Sequence, residues 1–144
     1  MSQVDDVFDV HRFVDAQRDD YERALAELKA GRKRSHWMWY IFPQLDGLGH
    51  SSMARRYAIK SLAEAQAYLA HAVLGPRLQQ CVETLLGLEG STAHDIFGSP
   101  DDLKLWSCAT LFADVSPPDS LFHRLLAKYF NGEADEQTVR LLGR

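Results

Sequence analysis

The amino-acid sequence predicts an all-α protein, a compact irregular bundle of short and medium helices. Three observations carry that expectation. Residues suited to cap a helix, Ser61, Ser99, Ser116 and Asp135, each stand just ahead of an apolar stretch. Apolar residues recur at spacings of three and four, which gather on one face of a helix. The strict alternation expected of half-buried strands is weak throughout the chain. With 144 residues, 46% of them apolar and 25% charged, the chain has the balance of one folded domain, 1–144, around one continuous core.

At the start, Tyr21, Leu25 and Leu28 share a helix face, and Gly31 is a natural stop. Phe8 and Phe13 lie upstream, and the aspartates Asp15, Asp19 and Asp20 mark a break. The expectation is a short helix near residues 9 to 16 and a longer one near 19 to 30. The stretch from His36 to Phe42 is aromatic and β-branched enough to be a strand. A lone strand would leave its backbone groups unpaired, so a short buried helix is expected instead, followed by a turn over Leu45 to His50.

Ser61-Leu62-Ala63-Glu64 has the spacing of a capping box, in which the glutamate reaches back to the cap amide. Leu74, Leu78, Val82, Leu85 and Leu86 recur at helical spacing, and Gly75-Pro76 fits the first turn of a helix over about 76 to 87, where proline breaks no hydrogen bond. Ser99-Pro100-Asp101-Asp102 predicts a cap serine, proline at the first helical position, and carboxylates against the positive helix end. The helix that follows should bury some of Leu103, Leu105, Trp106, Leu111 and Phe112, with Trp106 aligned to Leu103 and Leu111 as a core residue. Ser116-Pro117-Pro118-Asp119 repeats the logic before Phe122, Leu125, Leu126 and Tyr129. Asn131-Gly132 should stop that helix, and Asp135 should cap a last one carrying Val139 and Leu142.

The net charge is −4. Residues 1–30 hold four basic and eight acidic groups, residues 31–60 six and one, and residues 61–144 six and eleven. A chain acidic at both ends gives no strong nucleic-acid signal, whereas a local anion site in the basic middle remains open. The first residues carry aspartates in place of the basic and apolar regions of an export signal. The longest apolar run, Trp37 to Pro43, falls far short of the roughly 20 residues that span a bilayer. The expectation is a cytoplasmic protein with no membrane partner. Cys81 and Cys108, each in an apolar helical pattern, read as buried thiols.

The segment 31–52, GRKRSHWMWYIFPQLDGLGHSS, concentrates what chemistry the chain displays. Arg32, Lys33, Arg34 and His36 precede the aromatic residues, and Gly47, Gly49, His50, Ser51 and Ser52 form a turn with candidate helix caps. Cationic side chains beside free helix amides suit a small anionic ligand, and these nine residues are the candidate anion site. The structural alternative packs Trp37, Met38, Trp39 and Phe42 in the core with the basic residues in water. His36 and His50 are the leading candidates for proton transfer. The six histidines show no metal-ligand spacing, Gly47-Leu48-Gly49 lacks the full dinucleotide-loop pattern, and no metal or cofactor is identified. Asp95, Asp101 and Asp102 could join Lys104 in an ion site, although helix capping accounts for two of them.

Five stretches, RFVDAQ (12–17), the segment 31–52, YAIKSLAEAQAYL (57–69), LGPRLQQC (74–81) and IFGSPDDLKLWSCATLFA (96–113), resemble the domain of unknown function 1810 family, uncharacterised bacterial proteins. Ala72 departs from the proline found after the histidine in many relatives. The resemblance implies an all-helical bacterial protein and brings no reaction, cofactor or catalytic residue. Some members carry the label calpastatin, which a compact apolar pattern does not suit, since that inhibitor is disordered and repetitive. Two functions follow as expectations: a small-molecule or anion-binding protein, with enzymatic activity not legible in the residues, or a protein-interaction module using an aromatic surface. Oligomeric state is not legible in the sequence.

Overall fold

The computed structural model describes residues 7–144, so the first aspartates weighed against an export signal lie outside the described residues. Among those described, ten helices follow one another: α1 (His11–Gln17), α2 (Tyr21–Lys29), α3 (Met38–Ile41), α4 (Ser52–Arg56), α5 (Leu62–Ala70), α6 (Leu74–Gly87), α7 (Ala93–Phe97), α8 (Asp101–Asp114), α9 (Leu121–Phe130) and α10 (Glu136–Leu141). The fold is all-α, as expected. Among the described residues the one strand-like pairing is an isolated parallel bridge between Leu45 and Ile59.

The two longest helices organise the rest. α8 packs against α5, α7, α9 and α10, while α6 packs against α2, α5 and α9. α8 carries buried residues on several faces, Leu105, Cys108, Ala109, Leu111 and Phe112 among them, as a central helix must. α9 is the reverse, with Phe122, Leu125 and Leu126 on one buried stripe. A chain of rings links the helices: Phe13 meets Tyr68 edge-on at 5.1 Å, Tyr68 meets Phe112 at 5.4 Å, and Phe112 meets Phe122 at 5.5 Å. Such pairs add to stability beyond the area they bury.

Segment 36–42 forms the short helix α3, with Trp37, Met38, Tyr40, Ile41 and Phe42 buried. Trp39 is only half-buried, because consecutive side chains of a single helical turn cannot all face inward. Lys33 does not face water as a basic surface residue would. Its side chain is 8% exposed and ion-paired to Asp101. Cys81 and Cys108 are buried free thiols; burial pushes the Cys81 thiol up to about 12, while a hydrogen bond from Tyr21 and the charge of Arg77 act the other way.

Three capping expectations change in detail. Ser61 does cap α5, accepting from the Glu64 amide at 3.1 Å, but Glu64 reaches one residue further back and accepts from the Lys60 amide at 2.9 Å. Its other oxygen binds Arg12 at 2.7 Å in a pair of which the glutamate is 2% exposed. At α8 the cap position is Pro100, not Ser99, and no side chain caps the helix there. Before α9 the cap is Ser120, while Ser116 donates back to the Phe112 carbonyl at 2.7 Å and belongs to the end of α8. Leu103 is 55% exposed and so is not a core partner of Trp106. Asn131, left-handed at φ 57°, ends α9, and Asp135 caps α10 as expected. Gly75 is needed where α6 begins, since a Cβ there would collide with the Leu69 carbonyl at the end of α5.

Candidate functional site

The basic loop before α3 is held by one carboxylate. Glu27, on α2, accepts from the amides of Arg34 (2.7 Å) and Ser35 (2.9 Å), the Ser35 hydroxyl (2.6 Å) and the Trp37 indole (2.9 Å). Burial alone would raise its pKa, yet these four donors outweigh burial and hold the carboxyl down to about 2. The Lys33 amide binds the Ile96 carbonyl at 2.7 Å. Its ammonium donates to the Ser35 carbonyl at 2.6 Å, pairs with Asp101 at 2.9 Å, and lies 5.0 Å from the centre of the Trp37 ring. Lys33 is thus engaged on every side, while Arg32, Arg34 and His36 are exposed.

Asp101 joins this loop to a second region. It also accepts from Lys104, one turn along α8, at 3.3 Å. Acidic residues in the first turn of α8 suit the positive end of the helix. Lys104 in turn lies 5.3 Å from the centre of the Trp39 ring. Beyond it, Gln44 donates to the Ser107 hydroxyl at 2.6 Å. Trp106 stacks on Phe130 at 5.7 Å with 12° between the planes, and its indole N–H donates to the Glu133 carbonyl at 2.8 Å. The Asp135 amide binds the Thr110 hydroxyl at 2.9 Å, which pins segment 133–137 along α8.

These groups line a groove of about 1000 Å³ between α8, the start of α10 and the segment from Trp39 to Ala54. Its walls include Trp39, Trp106 and Leu48; its polar groups include Gln44, His50, Ser51, Lys104, Ser107, Glu133 and Glu136. Size and a mixture of apolar wall with a few convergent polar groups are what small-molecule sites share. Gly49 is required at the rim, because a Cβ there would press into Ala54 of α4. Ser51 caps α4 through the Ala54 amide at 3.1 Å. A shallower hollow of about 470 Å³ adjoins the groove, lined by Gly47, His50, Arg140 and Leu141 among others.

The nine residues of the predicted anion site therefore fall in two places. Gly49, His50 and Ser51 line the groove; Gly47 lies in the adjoining hollow, and Ser52 opens α4. Arg32, Lys33, Arg34 and His36 are not among the residues that line it. Sequence reasoning took Trp106 for core, offered core packing as one of two readings of Trp39, and passed over Gln44, Glu133 and Glu136. Nothing local marks these residues, since they converge from three separated segments. Among the described residues no three His, Cys, Asp or Glu side chains gather as a metal site, and no helix is long and apolar enough to cross a membrane.

A family model described as "Protein of unknown function (DUF1810)" matches residues 7–142. Among solved structures, the chain is similar to the conserved hypothetical protein Rv1873 from Mycobacterium tuberculosis. The two share 53% identity at a TM-score of 0.93, over 95% of this chain and 98% of that one. No curated protein matches the chain.

Proposed function

The chain belongs to the DUF1810 family of proteins of unknown function, which brings a fold and no reaction, and from the groove itself we propose that it is a small-molecule-binding protein. The observation that carries this reading is the meeting of two half-buried tryptophans with Gln44, Ser107 and Lys104 around a single concave space. Half-buried indoles present apolar area at little cost in side-chain entropy, and the fixed polar groups orient whatever lies on them. Lys104, Trp106 and Ser107 stand on α8, the most heavily packed helix, so that wall of the groove is preformed.

The interaction-module reading requires a broad exposed tryptophan or tyrosine surface. The large apolar side chains that are exposed among the described residues are Val7, Val73, Leu103 and Leu141. The groove reading is the better supported. A compact core is unlike a disordered inhibitor, and the calpastatin label is not carried over.

The test is a fragment library screened by ligand-observed NMR against the wild-type protein and Trp39→Ala. Hits that bind the wild type and lose at least about tenfold affinity in the folded variant are expected, the size of one well-placed aromatic contact. Hits that bind both proteins equally would place the site elsewhere.

A further inference from the structure

We infer that the groove takes an organic cation, a compound whose ammonium or other positive centre is held against the indoles and the Glu133 carboxylate. This rests on the small-molecule reading above and departs from the anion that the basic segment suggests.

The first argument is charge. Three acidic residues, Glu133, Asp135 and Glu136, stand among those lining the groove, against one lysine, Lys104. Adding the ion-pair partners of these groups, Asp101, Lys33 and Arg140, leaves the balance negative. The charges are also unequally spent. Lys104 is paired with Asp101, and Asp135 is committed to the Thr138 amide and hydroxyl. The Glu136–Arg140 pair is 3.5 Å long, with both partners more than three-quarters exposed, so it holds its charge loosely. The Glu133 carboxylate has no partner among the described residues. The charge available to a ligand is therefore negative, and the arginines of the basic segment do not reach the groove.

The second argument is the tryptophans. Trp106 has spent its N–H on the Glu133 carbonyl and one face on Phe130, so its remaining contribution is its π surface. Trp39 already receives the ammonium of Lys104, 5.3 Å from its ring centre. Indole faces attract cations through their quadrupole, and recognition of alkylated ammonium groups on aromatic walls is the recurring use of this attraction. Lys104 acts as a resident occupant of the position a ligand cation would take.

The two readings of Lys104 give opposite signs in an experiment. Three probes sharing one ring, benzyltrimethylammonium, benzyl alcohol and benzenesulfonate, are titrated into the protein while the Trp39 and Trp106 indole resonances are followed. Expected are binding of the cation about tenfold tighter than the other two, weakening of the cation in Glu133→Gln, and tightening in Lys104→Ala as the Trp39 face is freed. Preference for the sulfonate, with loss in Lys104→Ala, would overturn the inference in favour of an anion site. Equal binding of alcohol and cation, unaffected by Glu133→Gln, would overturn it while leaving the small-molecule reading in place. Failure of all three probes to move either indole would count against the groove itself. The wild-type comparison stands on its own should either variant fail to fold.

Discussion

Glu27 joins two amides, a hydroxyl and an indole to one carboxylate, and so sets the course of the chain into α3. Burial opposes its ionisation, but the four donors prevail and the folded-state pKa lies near 2, below the ordinary 4.5. Folding therefore favours the ionised form. The resulting stability is present in full above pH 4.5 and is lost as the pH falls towards about 2. Urea unfolding of the wild type and Glu27→Gln should differ most above that window, with the gap narrowing through it; a gap independent of pH would contradict this account. The tryptophans divide in the same physical terms. Trp37 is 1% exposed, and Trp37→Ala should cost about 3–5 kcal/mol. Trp106 is half-buried, and losing its stack on Phe130 and one hydrogen bond should cost about 1–3 kcal/mol. Chemical denaturation of the two variants measures the difference, and equal costs would show Trp106 to be an ordinary core residue.

At the scale of elements, the helices were legible and several of their first residues were not. Spacing of apolar residues located α2, α6 and α9 because one face of each is buried. The short α3 followed from the lack of a partner strand. The caps of α8 and α9 were misplaced because serine before proline looks like a start signal. Neither serine caps the helix it precedes: Ser99 lies ahead of the Pro100 cap position of α8, and Ser116 donates back to the Phe112 carbonyl at the end of α8. Ser120, the real cap of α9, has His123 three positions on, so no capping-box pattern announces it. Ser120→Ala should lower stability by about 1 kcal/mol, the usual worth of a cap. Ser116→Ala should cost less than half as much, as judged by thermal unfolding of the two proteins side by side. A larger loss at Ser116 would reverse the assignment. The bridge between Leu45 and Ile59 had no signature at all, since a pairing of two residues depends wholly on how the surrounding helices bring them together.

For the molecule as a whole, the groove exists because three segments distant in sequence meet beside α8. The basic aromatic segment contributes the turn at Gly49 to Ser51 and the face of Trp39, and that much of the site was visible in its unusual composition. Its cations were not a guide to the ligand. Lys33 is consumed in tying the loop to Asp101, and Arg32 and Arg34 point to solvent instead of the groove. Glu133 and Trp106 came from stretches whose local pattern speaks only of helix ends and packing. The central claim, that a small ligand lies against Trp39 and Trp106, is tested most directly by the three indole N–H resonances of the protein during titration with a bound fragment. Trp39 and Trp106 should shift together and saturably while Trp37, buried and bonded to Glu27, stays in place. A saturable shift confined to Trp37, or binding that moves none of the three, would contradict it.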